Sequence, residues 1–354
     1  MRRIRTYREV SDPAGQAVLD QVAAQRRRLV ERLSRVRHVV AVASGKGGVG
    51  KSAITANVAA VLASRGLRVG AADADLNGPS LARMLGVAGA RLRVEEDGVA
   101  PAEGAAGVRV VSMDLLLAAE DAPLRWRGAG LPADGAPGSL WQSSLEAGAL
   151  REFLADTAWG ELDYLLIDVP PGTDKLARLL ELLPAPPTLA VVTTPSEIAR
   201  FVVAKSVRLA HETGAAAVGL VANMCAYVCA TCGRESPLYA ADGARRLAEA
   251  TGAPLWAEVP FDPRLALATD AGAPFALEGG DAPAARALHA LADRIAEEAA
   301  RGNGRRAAAA AARAPEHAAA PGGPRDAPRP HETPARHPGP NRADHFAPDA
   351  PEVP

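Results

Sequence analysis

Short apolar runs alternate with amphipathic stretches through the middle of the chain. Seven runs are apolar throughout, which is typical of strands covered on both faces. They span residues 39–43, 67–72, 108–112, 164–167, 189–193, 218–222 and 254–259. Helical patterns cover residues 53–65, 198–213, 240–251 and 282–298. This alternation predicts an α/β fold in which a mostly parallel sheet is flanked by helices on both faces.

The two ends of the chain differ in composition from this middle region, residues 38–298. Residues 1–37 hold ten arginines against four acidic residues, and apolar positions recur at helical spacing over residues 13–35. They predict a basic amphipathic helix, whose charged face is more often solvated than a binding patch. From Arg301 the chain has 11 prolines, a run of six alanines and no apolar periodicity. Residues 299–354 are therefore predicted to be a disordered Pro- and Ala-rich tail.

The amino-acid composition argues against several classes of protein. The formal net charge of −1 gives no reason to expect nucleic acid or an anionic membrane as a partner. No apolar run reaches the roughly 18 residues that a membrane-spanning helix needs. Three cysteines in 354 residues cannot form a disulfide framework. A reducing, cytoplasmic setting is the expectation that follows.

A glycine-rich octet lies directly after the apolar run 39–43 and before the helical pattern that begins at residue 53. It fits the phosphate-loop pattern G-x-x-x-x-G-K-[ST] and reads Gly45, Lys46, Gly47, Gly48, Val49, Gly50, Lys51, Ser52. Its glycines allow a tight turn that aims backbone N–H groups at phosphate oxygens. Lys51 is expected to reach the β- and γ-phosphates of ATP, and Ser52 to offer its hydroxyl to Mg²⁺.

Acidic residues follow two of the predicted strands. Asp73 and Asp75 come after the second run, and Asp168 ends the run 164–167. A carboxylate at the carboxyl end of a strand, facing a phosphate loop, is suited to hold Mg²⁺. We assign that role to Asp168, with Asp73 supporting the metal shell. Asp75 is the candidate that orients the attacking water or accepts its proton.

Cys229 and Cys232 are separated by two residues and followed by Gly233. Two thiolates at this spacing can chelate one metal ion, although one pair leaves a tetrahedral site half filled. A symmetric dimer supplies four thiolates, enough for zinc or for a cluster such as [4Fe–4S]. A redox-active dithiol and an incidental pair are the alternatives. Cys225 is expected to be a small buried residue.

With these motifs, the chain resembles the Mrp/ApbC family of iron–sulfur cluster carrier ATPases over residues 36–280. The resemblance rests on residues 44–52, 73–80, 168–173 and 192–195, and on Asn223-Met224 leading to the cysteine pair. The phosphate loop is similar to the deviant Walker A form, in which the extra lysine, here Lys46, contacts nucleotide bound by the opposite subunit. The resemblance also makes Asn223 a candidate for reading the adenine ring.

The resemblance implies a homodimeric, Mg²⁺-dependent ATPase that holds a labile cluster between its subunits and hands it to apo iron–sulfur proteins. Neither a membrane nor a nucleic acid is expected as a partner. The alternative is a positioning or regulatory ATPase of the MinD/ParA kind, which switches partner binding with nucleotide state. No amphipathic membrane helix is apparent near the C-terminus, although the basic helix near the N-terminus keeps this alternative open.

Overall fold

Nine strands form one mostly parallel sheet within the residues that the structure, a computed structural model, describes, namely 13–76, 78–116 and 139–313. Side chains are described for residues 20–76, 78–116 and 148–304. The strands of the chain are β1 (Val36–Ala43), β2 (Val69–Asp73), β3 (Arg93–Glu95), β4 (Gly98–Ala100), β5 (Ala102–Glu103), β6 (Arg109–Val111), β7 (Leu162–Asp168), β8 (Thr188–Thr193), β9 (Ala217–Val228), β10 (Glu235–Pro237) and β11 (Leu255–Phe261).

The order of strands across the sheet is β10-β9-β8-β1-β7-β2-β6-β5, and β11 also pairs with β9. Strands β10 and β5 run antiparallel to their neighbours, while β3 and β4 form a separate hairpin. The remaining pairs are parallel, so the carboxyl ends of the central strands meet at one edge. Ligands bind at that edge in open α/β sheets.

Helices cover both faces of the sheet. They are α1 (Pro13–Ser34), α2 (Lys51–Ser64), α3 (Leu81–Met84), α4 (Ser139–Asp156), α5 (Thr173–Leu182), α6 (Glu197–Glu212), α7 (Gly243–Thr251), α8 (Pro263–Asp270), α9 (Phe275–Glu278) and α10 (Pro283–Arg313). None of these described helices is long and apolar enough to cross a membrane.

Successive residues of β1 point into two different cores, because side chains alternate along a strand. Val40 and Val42 pack in the core that contains α2 and α10. Ala41 and Ala43 pack in the core that contains α1, α4, α5 and α6. Burial on both faces explains why these strands are apolar throughout instead of alternating.

All seven predicted strands are present, most of them a residue or two longer or shorter than predicted. The helical patterns correspond to α1, α2, α6, α7 and α10. Helix α10 differs at its end, because it continues to Arg313 through residues for which disorder is predicted. The alanine run 307–312 explains this difference, since alanine is the strongest helix former and extends a helix that is already nucleated. Residues 1–12 and 314–354, at the two ends of the chain, lie outside the described residues.

Candidate nucleotide and metal sites

The predicted phosphate loop connects β1 to α2 at the carboxyl edge of the sheet. Gly48 and Gly50 have φ values of 75° and 81°, in the left-handed region that favours glycine. Gly50 immediately precedes α2, and no side chain caps that end of the helix. The first N–H groups of α2 and its positive dipole end are therefore available to an anion.

Three side chains of α2 converge on the carboxylate of Asp168, the last residue of β7. The Lys51 ammonium lies 2.6 Å from Asp168 Oδ1, and the Ser52 hydroxyl lies 2.5 Å from Oδ2. The Thr55 hydroxyl lies 3.0 Å from Oδ1 and an equal distance from the Lys51 carbonyl oxygen. Lys51, Thr55 and Asp168 are all buried. Because a buried charge is costly without partners, this arrangement fixes the carboxylate in place.

Thr55 is missing from the sequence-based set of site residues. Its position four residues after Lys51 places it one helical turn further along the same face of α2. That spacing is the signal that could have identified it. The pattern of the phosphate loop ends at Ser52, so the motif alone does not include it.

Asp73 lies beside Asp168, since the two residues are register partners at the ends of β2 and β7. Its oxygens accept hydrogen bonds from the backbone N–H groups of Asp75, Ser80 and Leu81, at 2.8–3.1 Å. Burial, and secondarily the nearby Asp168 charge, raise the pKa of Asp73 to about 7. Asp73 thus ties down the segment that follows β2.

Asp75 is half-buried on the segment that Asp73 holds. Its Oδ1 accepts a hydrogen bond from the N–H of Gly78 at 3.1 Å. The second carboxylate oxygen has no hydrogen bond among those that the structure describes for this residue. Asp75 therefore differs from Asp73 in both burial and hydrogen bonding.

Asn223 brings β9 into contact with the phosphate loop. Its side-chain amide donates a hydrogen bond to the Val49 carbonyl oxygen at 2.8 Å, and a Cβ on Gly50 would collide with that amide. The next residue, Met224, has a φ of 59°, which is uncommon for a residue with a side chain. The pairing of β9 with β11 shifts register in this segment. A strained, irregular step in β9 therefore lies directly after the phosphate-loop contact.

The cysteine pair lies at the tip of the hairpin formed by β9 and β10. Beyond Met224, β9 continues to Val228 and pairs there with β10. The Cys229 N–H donates to the Arg234 carbonyl oxygen at 3.0 Å, and the Gly233 N–H donates to the Cys229 carbonyl oxygen at 2.8 Å. These bonds close a tight turn that carries both thiols away from the core.

The three thiols differ in their environments. Hydrogen bonds from the backbone N–H groups of Cys232 and Thr231 hold the pKa of the Cys229 thiol below its ordinary value. Cys225 is half-buried and not buried as predicted. Its partial burial raises the pKa of its thiol to about 11, and Glu258 adds to the effect. Cys229 is partly exposed and Cys232 is exposed.

Across the described residues, no group of three or more His, Cys, Asp or Glu side chains could hold a metal ion. Among these residues, the cysteine pair can therefore offer a metal ion only its own two thiols.

The sequence matches a known family over residues 35–296, described as ParA: NUBPL iron-transfer P-loop NTPase. The chain belongs to this family. A relative from Saccharolobus solfataricus called iron–sulfur cluster carrier protein is 37% identical over 78% of this chain and 89% of its own length. The human protein called cytosolic Fe–S cluster assembly factor NUBP2 is 36% identical over 74% of this chain and 93% of its own. The resemblance found from the motifs is confirmed.

Solved structures also match this iron-transfer NTPase. A nucleotide-binding protein from Archaeoglobus fulgidus in complex with ADP is 34% identical, with a TM-score of 0.58 over 70% of this chain and 91% of that one. The cell division ATPase MinD from Pyrococcus furiosus is 24% identical, with a TM-score of 0.51 over 73% of this chain and 98% of that one. The MinD likeness shows the fold alone. The predicted class, a P-loop NTPase with a mostly parallel sheet between helices, is confirmed.

In this iron-transfer NTPase the predicted residues form two separate groups. The phosphate loop, Asp73 and Asp168 meet at the carboxyl edge of the central strands, and Asp75 follows on the same edge. Lys46 lies exposed in the phosphate loop. Cys229 and Cys232 form the second group, which β9 connects to the first through Asn223.

Proposed function

We propose that this protein is an ATP-hydrolysing carrier of iron–sulfur clusters that works as a homodimer. The observation that carries the proposal is the cysteine pair at the tip of a hairpin whose first strand also contacts the phosphate loop. Two thiolates are half of the four that a [4Fe–4S] cluster or a zinc ion takes, and a two-fold related copy supplies the rest. Membership in an iron-transfer family and the names of the relatives favour the cluster over zinc.

The phosphate loop is proposed to bind ATP. Backbone N–H groups from Gly45 to Ser52 and the start of α2 face the phosphates, and Lys51 neutralises their charge. The Lys51 ammonium is paired with Asp168 in the structure. Bound phosphates offer this lysine a second anionic partner, and its withdrawal from Asp168 leaves that carboxylate free to serve a cation.

The residues beside the phosphate loop fit Mg²⁺. The Ser52 hydroxyl and the Asp168 carboxylate are hard oxygen donors held 2.5 Å apart, and Mg²⁺ prefers such ligands together with phosphate oxygens. When bound, Mg²⁺ neutralises charge on the phosphates. The Thr55 hydroxyl holds the Asp168 carboxylate in orientation. Asp73 supports the metal ligands without being one itself, because both of its oxygens already accept backbone hydrogen bonds.

Hydrolysis is proposed to depend on Asp75 and Lys46. Asp75 is proposed to accept a hydrogen bond from the attacking water, and Asp73 anchors its backbone. Lys46 is exposed in the loop and stabilises charge on the nucleotide of the opposite subunit, as an arginine finger does. Asn223 borders the nucleotide site and remains our candidate for contacting the adenine ring.

The cargo is a labile cluster that passes to apo iron–sulfur proteins in the cytoplasm. Cysteines on an exposed turn suit a cluster that must leave, because a recipient's thiols can approach it from solvent. The relatives' names support this carrier function over the MinD/ParA-like positioning function, for which the MinD likeness offers the fold alone.

Anaerobic reconstitution with iron and sulfide tests the carrier function. The wild-type protein is expected to bind about two irons per chain, which corresponds to one [4Fe–4S] per dimer, with the broad visible absorption of such clusters. Cys229→Ala/Cys232→Ala should lose the bound iron and the absorption. Cys225→Ala is the matched control and should retain both. A double variant that holds as much iron and sulfide as the wild type would refute the proposal.

A further inference from the structure

A groove between α1, α4 and α5 is not used by the proposed function. It consists of two adjacent cavities of about 240 Å³ and 260 Å³. Leu150 of α4 and Arg178 of α5 line both cavities, so the two form one groove along α5. We call it the α5 groove.

The surface of the α5 groove is mainly apolar. Leu150 and Leu179 line the first cavity, together with proline and valine side chains from the segment after β7. Val22 of α1 lines the second cavity and is 37% exposed. A concave apolar surface of this kind is a binding site for apolar side chains, because burying them there removes both surfaces from water.

The charged residues along the α5 groove are mostly basic. The basic residues come from all three helices and are Arg26, Arg151, Lys175 and Arg178, whereas the acidic residues are Asp75 and Glu181. Lys175 and Arg178 are half-buried, and their spacing places them on one face of α5. The whole chain has a formal net charge of −1, so this excess of positive charge is a local property of the groove. It favours an acidic ligand.

One wall of the α5 groove is continuous with the nucleotide site. Ala74 and Leu76 belong to the segment that follows Asp73, and Val169 follows Asp168 directly. The Ala74 N–H donates a hydrogen bond to the Asp168 carbonyl oxygen at 3.0 Å, which joins the two segments. A displacement of either aspartate on nucleotide binding therefore changes the shape of this wall.

We propose that the α5 groove docks an acidic segment of a partner protein that also carries apolar side chains, and that the affinity depends on the bound nucleotide. Apolar side chains of the segment fill the two cavities, and its carboxylates pair with the basic residues along the groove. A polypeptide suits this surface better than nucleic acid, which has no apolar side chains to cover the surface between the charges. The inference goes beyond the proposed function, since it requires neither a cluster nor a second copy of the chain.

The proposal is tested by fluorescence anisotropy of the full-length protein with two short labelled peptides. One peptide alternates leucine with aspartate, and the other alternates leucine with lysine. The acidic peptide should bind at least about tenfold more tightly than the basic one, because of the charge of the groove. Arg178→Glu and Arg26→Glu should each weaken binding of the acidic peptide by about tenfold and strengthen binding of the basic peptide. Arg208→Glu, a charge reversal on α6 outside the groove, is the matched control and should change neither affinity.

The contribution of the apolar surface is measured with a second pair of variants. Val22→Ser should weaken the acidic peptide by about threefold or more, since it removes apolar surface from the second cavity. Val30→Ser is the matched control, because Val30 is 47% exposed on the same helix but does not line the groove. The melting temperatures of the four charge and groove variants report whether each one is folded, and Arg26→Glu changes an exposed residue that the fold does not need.

The link to the nucleotide is measured with the wild-type protein. Adding Mg²⁺ and a non-hydrolysable ATP analogue should change the affinity for the acidic peptide by about threefold or more, since both ligands act on the segments after β2 and β7. An unchanged affinity would refute the dependence on nucleotide.

Equal affinity of the wild type for the two peptides, or wild-type affinity for the acidic peptide in both Arg26→Glu and Arg178→Glu, would overturn the docking proposal. Sedimentation of the same two variants tests a different occupant. If both lose self-association, the groove is a contact between copies of this chain and the proposal is wrong. None of these results depends on whether Cys229 and Cys232 bind a cluster, so the carrier function and the docking groove fail separately.

Discussion

Asp168 organises the nucleotide site at the level of single atoms. Its two oxygens face an ammonium and two hydroxyl groups from one face of α2, and both charged residues of the ion pair are buried. Removing either partner of such a buried pair leaves an uncompensated charge, which is strongly destabilising. In the proposed complex with ATP, a phosphate becomes the partner of Lys51 and a cation the partner of Asp168, so neither charge is left uncompensated. The Asp168 carboxylate is therefore held in a fixed position by α2.

The thiols of Cys229 and Cys225 should react with iodoacetamide at very different rates in the reduced, cluster-free protein. Thiolate is the reactive form, and the lowered pKa of Cys229 increases its thiolate fraction at pH 8. Cys225, with a pKa of about 11, holds only about one thiolate per thousand molecules at that pH. We expect Cys229 to be alkylated at least about tenfold faster, as measured by peptide mass spectrometry. As the pH rises, the rate at Cys229 should level off first.

Unfolding in urea is the control for this reactivity experiment, because the two rates should converge when the hairpin is lost. Equal rates in the folded protein would show that the turn does not stabilise the Cys229 thiolate.

At the level of elements, α1 packs as part of the domain. Leu29 and Leu33 belong to the core that contains α4, and Gln25 donates a hydrogen bond to Glu152 of α4 at 2.7 Å. An ion pair between Arg28 and Asp156 joins the same two helices. The sequence predicts the amphipathic helix correctly but treats it as a segment preceding the domain. Its partner α4 has no pattern that marks it in the sequence, so the packing could not be inferred.

Leu29→Ala should lower the free energy of unfolding by about 2–5 kcal/mol, the usual cost of truncating a fully buried leucine. Val30→Ala is the matched control on the same helix. Val30 is 47% exposed, and alanine has the higher helix propensity, so this change should cost less than about 0.5 kcal/mol. Urea denaturation of both variants measures the difference. If both variants lower the free energy of unfolding by similarly small amounts, α1 does not contribute to the stability of the domain.

The sequence predicts those parts of the fold that local patterns determine, and it does not predict the parts that depend on tertiary contacts. Strands such as β7 are apolar throughout because both faces are buried, and this property is visible in the sequence. Strand β10 is polar, exposed and ends at Pro237, so only its pairing with β9 identifies it. The partners of Asp73 come from residues two to eight positions further along a loop, and no local pattern shows that they return to its carboxylate. Tertiary contacts determine these features.

At the scale of the whole molecule, activity is expected to require two copies. Lys46→Ala should leave the affinity for ATP within about threefold of the wild type while lowering hydrolysis by about 10³-fold or more, the effect of losing an arginine finger. The physical reason is that Lys46 stabilises charge that develops in the partner's site, whereas Lys51 binds the ground state in its own. Equilibrium binding of a fluorescent ATP analogue and phosphate release measure the two effects.

Lys51→Ala provides the contrast, because it should weaken binding itself. Mixing Lys46→Ala with an excess of a variant that has Lys46 but cannot bind nucleotide should restore part of the hydrolysis. Equal loss of binding and hydrolysis in Lys46→Ala would contradict a role across the subunit boundary.

Strand β9 connects the proposed nucleotide site to the turn that carries the cysteine pair. Cys229 lies six positions after Asn223, which contacts the phosphate loop, and six steps of extended chain cover at most about 20 Å. This short stretch of β9 is a covalent link between the proposed nucleotide site and the cysteine turn. A displacement of Asn223 on nucleotide binding can therefore be passed to the cysteine turn through the backbone of β9. The strained backbone at Met224 lies within this stretch.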